Sequence, residues 1–264
     1  MVRNYDEKTA VEDYPDGVFV EFSKNYGSNC GITVCGQYDE KNRFHIEYYF
    51  PFFRGTGITT QEQVTVERHA DREAFSGACD DLRIGITLIF YLQNGTEYML
   101  EKQKKVPGNR STTLSGLAGE GRILLPVLKD KEAVKVEKET STNRSNLIAA
   151  ARNGDEEAME SLTMEDMDTY SMISHRIVHE DILSIVDSYF MPCGIQCDQY
   201  SVLGEILEFH TFENIATGEE LLQMKIDCNN IQFDVCINQK DLLGEPAVGR
   251  RFRGDIWLQG QIHF

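Results

Sequence analysis

Positive charge is scarce in this sequence, most of all toward its C-terminus. The 264 residues include 26 lysines and arginines against 43 aspartates and glutamates, a formal net charge of −17. Residues 151–264 contain seven of the basic groups and 21 of the acidic ones, which is −14 for that part alone. A phosphate backbone would be repelled by such a surface unless basic side chains were gathered on one face. The composition therefore argues against nucleic acid and anionic membranes as partners, and it is compatible with a basic protein partner.

Long apolar runs are also lacking. The longest, Ile84–Leu92, contains Gly85 and Thr87 and is too short to cross a bilayer. The opening stretch MVRNYDEKTAVEDYPDG has no apolar core of the kind found in secretory signals. The cysteines number seven, and a reducing cytosol would keep them as thiols. These features predict a cytoplasmic protein with no membrane segment and no disulfide framework.

Signatures of nucleotide and cofactor chemistry are absent too. The chain has no phosphate-binding loop with its lysine and serine or threonine, and no glycine-rich turn with dinucleotide spacing. We therefore predict no cofactor.

The secondary-structure patterning that is present divides the chain into three parts. We predict an α+β fold with a mostly antiparallel α+β unit over 1–127, a helical connector over 128–180 and a small β-barrel over 181–264. Four or five short strands in the last part suggest a barrel of the oligonucleotide-fold type.

The N-terminal unit is dominated by predicted strands. GVFVEFS, CGITVCG and RFHIEYYF are rich in β-branched and aromatic residues, and QVTVERH alternates apolar and polar residues. RIGITLIFYLQN fits either a buried strand or a short core helix, and TEYMLEKQKK predicts a helix. STTLSGLAGEGRILLPVL suggests two further strands around a glycine-rich turn.

The connector has helical propensity, with a break at Asn153-Gly154. Thr163 followed by Asp166 indicates the start of a further short helix. ILSIVDSYFMP matches both helical and strand spacing, and we interpret it as a strand because of its β-branched content.

The closing segment RRFRGDIWLQGQIHF predicts a long half-buried strand. Phe252, Ile256, Leu258 and Ile262 fall on one face of a pleated strand, and the arginines fall on the other. The arginines are therefore expected in solvent.

The outer face of that strand contains the candidate nucleic-acid residues. Arg251, Arg253 and Trp257 combine charge with a stacking surface, as single-strand binders do. The alternative is pairing of these arginines with acidic neighbours such as Asp227 or Asp234.

Two stretches offer candidate groups for ligand binding or catalysis. Backbone amides near Gly55 and Gly57 could approach an anion that Arg54 would clamp, although a glycine-rich hairpin or bulge explains the same residues. The polar stretch 66–83 could supply a further anion ligand and general acid or base groups, although a solvated turn contains similar residues. Its candidates are Arg68 for the ligand, and His69, Glu67, Asp80 and Asp81 for catalysis.

Histidine and cysteine residues toward the C-terminus offer candidate metal ligands. His175 and His179 are four residues apart and could share a helix face, with Cys193 and Cys197 following. These ligand types suit zinc, but Cys-x3-Cys across Pro192 is not a usual zinc knuckle. We predict no metal site.

Three long stretches resemble a known family. They are YYFPFFRGTGITTQEQVTVERHADREAFSGACDDLRIGITLIFYLQN, NRSNLIAAARNGDEEAMESLTMEDMDTYSMISHRI, and DSYFMPCGIQCDQYSVLGEI with LLGEPAVGRRFRGDIWLQG. They are similar to a clostridial family of domains of unknown function, number thirty-eight eighty-one. The likeness covers nearly the whole chain, and it implies no activity, substrate or catalytic residue.

Three functional hypotheses remain open. The first is a non-enzymatic binding or assembly protein, with a protein partner or a second copy of itself. The second is an enzyme or anion-binding protein that uses the Arg54 loop with residues 67–83, which would have to converge in one pocket. The third is a weak single-stranded nucleic-acid binder that uses the last strand.

Overall fold

The computed structural model describes residues 4–14, 17–70, 74–81, 83, 86–104, 111–127, 143–144, 146–151, 153–179 and 181–264. Most of these residues lie in two β-sheets, and few lie in helices. The segment from 128 to 142, the first part of the predicted connector, lies outside the described residues.

The first sheet is an antiparallel meander near the N-terminus. Its strands, in spatial order, are β1 (Glu7–Tyr14), β2 (Gly17–Gly27), β3 (Cys30–Tyr38) and β4 (Phe44–Phe53). The β3–β4 turn is closed by Asp39, whose carboxylate accepts hydrogen bonds from the backbone N–H groups of Lys41 and Arg43. The three predicted strands are confirmed, whereas β1 was not predicted because EKTAVEDY is dominated by polar residues.

The remaining elements are the strands of the second sheet and the helices. In chain order they are β5 (Val64–Arg68), β6 (Phe75–Asp81), β7 (Ile86–Leu92), α1 (Gly95–Gln103), β8 (Ser111–Leu124), α2 (Glu156–Ile177), α3 (Ile182–Ile185), β9 (Tyr189–Pro192), β10 (Gln199–Glu213), β11 (Glu220–Cys228), β12 (Ile231–Asn238), β13 (Leu242–Leu243) and β14 (Arg251–His263). Residues 143–144 and 146–151 are also helical.

Five of these strands close into a barrel, and four of them lie in the segment 181–264 for which a barrel was predicted. Its ring order is β8-β12-β11-β10-β14, and β14 pairs with β8 to close the ring. The β8–β12 pair is parallel, and the other four pairs are antiparallel. β8 comes from the part of the chain before residue 127, so the barrel uses strands from both sides of the connector.

β10 makes the corner of this barrel. Its first half, Gln199–Glu205, pairs with β14, and its second half pairs with β11. The change of partner comes next to Gly204, where a Cβ would lie only 2.7 Å from the carbonyl oxygen of Asp227. A glycine is therefore required at the point where the strand changes partner.

The barrel interior is filled with apolar side chains. The alternation predicted for the last strand is confirmed, since Phe252, Ile256, Leu258 and Ile262 are all buried in the main core. The expectation that Arg251 lies in solvent is wrong, because this side chain is only 7% exposed. The strand pattern gives the face on which Arg251 lies but not what covers that face.

A buried polar network joins the first sheet to the barrel. The Gln259 side chain accepts from the backbone N–H of Phe53 and donates to the carbonyl of Pro51. Gln93 donates to the carbonyl of Phe53 and to Gln259, and Ser115 donates to the same Phe53 carbonyl. The end of β4 is thereby fixed against the barrel.

Several local predictions need correction. The two strands predicted over 111–128 are one continuous strand, β8, which passes through its glycines without turning. The segment interpreted as a strand after Asp181 begins as the short helix α3, capped by the Asp181 carboxylate, and becomes strand only at Tyr189. Thr163 does not start a helix; it lies inside α2, and its hydroxyl donates to the carbonyl of Met159.

Other assignments within these parts are confirmed. RIGITLIFYLQN, left open between two structures, contains the strand β7, and α1 is the helix predicted from TEYMLEKQKK. The helix break at Gly154 is also present, with this residue at φ +89°.

Candidate functional site

The loop after β4 brings Arg54 to a carboxylate of the same chain. The Arg54 guanidinium donates to both oxygens of Glu7 at 2.7 Å and lies 4.6 Å from the centre of the Phe52 ring. Hydrogen bonding from Arg54 lowers the pKa of Glu7. The charge that was expected to clamp an anion is therefore paired with a carboxylate in the fold.

The glycine-rich part of this loop packs against the barrel. A Cβ on Gly55 would lie 2.6 Å from the carbonyl oxygen of Leu114, and the carbonyl of Gly57 accepts from the Thr113 hydroxyl. Between them, the N–H and hydroxyl of Thr56 donate to one oxygen of Asp234, at 2.5 and 2.7 Å. Asp234 is only 2% exposed, so its contact with Thr56 is a structural link between the loop and β12. The loop therefore faces a negative charge.

The candidates between residues 67 and 83 lie at two ends of the β5–β6 hairpin. Glu67 and Arg68 are exposed at one end, where the His69 ring forms a hydrogen bond with the Ser76 hydroxyl at 2.8 Å. Asp80 and Asp81 lie at the other end of β6, five and six residues beyond the Arg68–Phe75 pair. At the rise of an extended strand this separation is roughly 20 Å, so the structure does not bring the two groups into one pocket.

The two aspartates at the far end have structural partners. Asp80 accepts from the Thr87 hydroxyl at 2.5 Å, and Asp81 forms a two-pronged ion pair with Arg83. Burial raises the pKa of Asp81, but hydrogen bonds and charge from Arg83 outweigh it and lower the pKa overall. Arg83 also donates to the carbonyls of Thr59 and Asn230, so this pair ties three loops together.

The last strand uses its polar side chains inside the fold. Arg251 donates to the carbonyls of Leu125, Leu183 and Val186 at 2.8 to 3.0 Å, and burial lowers its pKa. It meets carbonyl groups around α3 instead of the carboxylates of Asp227 or Asp234.

Arg253 and Trp257 also have contacts within the chain. Arg253 donates to the Tyr189 hydroxyl at 3.1 Å. The Trp257 indole donates to Asp198 at 2.7 Å, and its ring centre lies 5.1 Å from that of Tyr91. The three candidate nucleic-acid residues therefore do not form an open basic and aromatic surface.

The candidate zinc ligands are distributed over the helical region and the loop after β9. His175 and His179 are exposed, Cys197 is exposed and Cys193 is half-buried. Within the described ranges, no three histidine, cysteine, aspartate or glutamate side chains lie together as a metal would require.

Sequence reasoning missed a buried carboxyl group, Glu21. It lies on β2 beside Thr96 of α1, with the thiol of Cys35 at 3.9 Å. Burial raises the pKa of Glu21 to about 7, although the nearby polar groups of Thr96 oppose the shift. The signal was present in GVFVEFS, where a charged residue interrupts an apolar strand.

Sequence reasoning also missed an apolar face on α2. Met159, Met167 and Tyr170 are 44%, 68% and 76% exposed, whereas Ala158 on the other side of the helix is buried. Their spacing of eight and three residues places them along one side of a helix. We call this side, from Met159 to Ser174, the α2 face.

The α2 face borders a groove of about 760 Å³. The described residues that line it are Thr163, Asp166, Met167, Tyr170, Ser171, Ser174 and His175. The groove therefore combines two large apolar side chains with small hydroxyl groups and one carboxylate.

No described helix combines the length and the apolar character needed to cross a membrane. No curated protein and no solved structure matches the chain. A family model does: it is described as a domain of unknown function, E. rectale gene description, and it matches residues 1–260. The resemblance found in the sequence is confirmed, and the chain belongs to this family, DUF3881.

Proposed function

We propose that this chain is a non-enzymatic binding or assembly module that holds a protein partner on the α2 face. The observation that carries this proposal is the exposure of Met167 and Tyr170, at 68% and 76%, along one side of α2. Large apolar side chains gathered on a surface are typical of interaction sites. Methionine is especially suited to such a surface because its flexible side chain adapts to different partners.

The polar candidates support a binding role over catalysis. Arg54, Asp81 and Arg251 are each engaged in ion pairs or hydrogen bonds that connect parts of the fold. A catalytic group must instead be aimed at a site where substrate can lie. The geometry of these three residues supports a structural role.

We further propose that the barrel is of the oligonucleotide-fold type with a circularly permuted strand order. If β10, β11, β12, β14 and β8 are counted as strands one to five, the ring reads 1-2-3-5-4 and the parallel pair joins strands three and five. This is the order and the pairing of that barrel type. The fifth strand would here precede the first in the chain.

The outer face of the barrel is covered by other parts of the chain, which supports a partner site elsewhere. In oligonucleotide-fold barrels, ligands bind across strands two and three, here β11 and β12. Cys236 on the outer side of β12 is buried in one cluster with Cys30 and Phe53 of the first sheet, and Asp234 is bound by Thr56. Since the chain itself covers this face, we expect no retention on immobilised single-stranded DNA at low salt, and salt-sensitive retention would contradict the proposal.

A reducing, cytoplasmic location belongs to the same proposal. All seven cysteines are free thiols, and five of them are buried. Buried free thiols are typical of proteins that work in a reducing compartment.

The experiment is affinity isolation from native lysate with a pair of matched variants. The wild-type chain and Tyr49→Ser should recover a stoichiometric protein partner, and Met167→Ser/Tyr170→Ser should lose it. Tyr49 is the control because it is 70% exposed on β4, away from α2. Recovery of the same partner by the α2 variant would overturn the proposal, as would a wild-type chain that recovers none.

A further inference from the structure

The α2 face has the dimensions of a helix-binding surface. Met159, Thr163, Met167, Tyr170 and Ser174 follow one another at intervals of three or four residues. At the rise of an α-helix, this stripe is roughly 22 Å long and spans about four turns. A partner helix would present its own apolar residues at the same intervals along such a stripe.

Side-chain size along the stripe also suits a helix. Met167 and Tyr170 project from the surface, and the small side chains of Thr163, Ser171 and Ser174 lie beside them in the groove. Alternation of large and small side chains lets the side chains of a second helix fit between them. An extended peptide would instead need an open strand edge, which a helix cannot offer.

Charge selects among the possible partner helices. α2 contains six carboxylates, Glu156, Glu157, Glu160, Glu165, Asp166 and Asp168. Arg144 binds Glu165 at 3.4 Å and Asp166 at 2.7 Å, which offsets part of this charge. Asp166 also lines the groove, and Glu156, Glu160 and Asp168 are exposed.

This charge disfavours several occupants. A second copy of α2 would bring like charges together, and an anionic lipid surface or a nucleic acid would be repelled. A helix with lysine or arginine beside its apolar residues would pair with the carboxylates and cover the methionines. We infer that the α2 face binds a basic amphipathic helix of a partner protein, a refinement that rests on the proposed function.

The test uses two synthetic peptides of about 18 residues, which is long enough to match the stripe as a helix. Both have leucines at the same three- and four-residue intervals; one has lysine at its polar positions and the other has glutamine. Each is titrated against the full-length chain by isothermal calorimetry. We expect the lysine peptide to bind at least about tenfold more tightly at low salt, with the advantage falling as sodium chloride rises from about 50 to about 500 mM.

Variants separate binding at the α2 face from general attraction to an acidic protein. Met167→Ser/Tyr170→Ser should weaken binding of the lysine peptide at least about tenfold, and this change leaves the net charge of the protein unaltered. Glu160→Gln/Asp166→Asn should also weaken binding of the lysine peptide. Glu220→Gln/Glu245→Gln removes the same charge from exposed sites on the barrel side. This control variant should bind the lysine peptide within about twofold of the wild-type affinity.

The possible failures are distinguishable. Equal binding of both peptides, lost in the Met167/Tyr170 variant, would overturn the basic partner while leaving the proposed function intact. Three results would overturn the basic helix as occupant. The first is that neither peptide binds, and the second is that both charge variants weaken peptide binding equally. The third is that the wild-type chain forms a dimer that the Met167/Tyr170 variant abolishes. The proposed function itself fails if the Met167/Tyr170 variant still recovers the native partner from lysate.

Discussion

Glu21 is a carboxyl group enclosed by the first sheet and α1. Burial raises its pKa to about 7, and the surroundings include the thiol of Cys35, Thr96, the Arg54 charge and the like charge of Glu97. An unfolded glutamate has a pKa near 4.5, so between that value and about 7 the folded chain binds the proton more tightly than the unfolded chain. The free energy of unfolding therefore decreases as pH rises through this window.

Replacement of this carboxyl by an amide should remove that pH dependence. We expect Glu21→Gln to be more stable than the wild type at pH 8, by up to about 3 kcal/mol, and similar to it near pH 5. Urea unfolding at both pH values measures the difference. Glu47→Gln on the exposed side of β4 is the control, and parallel pH profiles for Glu21→Gln and the wild type would contradict the assignment.

Asp234 should prove to be a structural residue. Asp234→Ala leaves the backbone N–H and hydroxyl of Thr56 without their acceptor, at a cost of about 1 to 3 kcal/mol. Denaturant unfolding checks this, with Asp255→Ala at an exposed position of β14 as the control. An unchanged midpoint would show that the loop does not depend on this carboxylate.

Arg251 illustrates how far sequence reasoning reaches for a single side chain. The two-residue period correctly separated Phe252 and Ile256 from the arginines, because period two follows from the pleat itself. Whether the outer side of a strand meets water depends on segments distant in sequence. Here Arg251 donates hydrogen bonds to the carbonyls of Leu125 and Leu183, and the sequence around Arg251 does not predict these contacts.

β14 depends on a glycine where it passes the Phe90 ring. Gly260 has no side chain there, and a Cβ would lie 2.5 Å from a ring carbon of Phe90. We expect Gly260→Ala to destabilise the fold by about 1 to 3 kcal/mol, because a packed ring cannot move aside freely. Thermal unfolding of this variant can be compared with Gly119→Ala, whose added methyl group meets no atom within 4 Å.

That comparison has a clear contrary result. Equal melting temperatures for the two variants would show that the Phe90 ring adjusts without cost, and that the glycine has no packing role. A stable Gly119→Ala variant is expected, since an ordinary residue fits an exposed strand position.

Elements with one strong period were predictable, and ambiguous ones were not. β2, β3, β4 and β14 follow directly from β-branched and aromatic alternation. In the segment after Asp181, the carboxylate caps the short helix α3 and accepts from Leu183 before the strand begins, so a single assignment could not fit both parts. The α2 face escaped notice because methionine favours helices, and propensity alone does not report which side is exposed.

The barrel is assembled from distant parts of the chain. β8 occupies the place between β12 and β14, and it lies more than 100 residues before either. A boundary drawn at residue 127 from composition cannot register this pairing, because the partner strands are specified only by contacts in the folded chain. The closed ring was predictable from strand count, whereas its membership was not.

The isolated segment 181–264 should therefore fail to fold. Without β8, both β12 and β14 would lose a neighbouring strand, and the apolar interior would open to water. We expect a peptide of these residues to show no sharp thermal transition by circular dichroism, whereas the full chain unfolds cooperatively. A cooperative transition in the isolated segment would mean that its strands form a stable unit without β8.

The most direct test of the central claim is hydrogen–deuterium exchange of the full chain with and without the lysine peptide. The α2 face is expected to be the contact surface, so amide protection should increase between residues 156 and 178 and remain unchanged in the 54–60 loop, the 67–83 hairpin and the last strand. Protection that appears at the last strand or across β11 and β12, with α2 unchanged, would contradict the account.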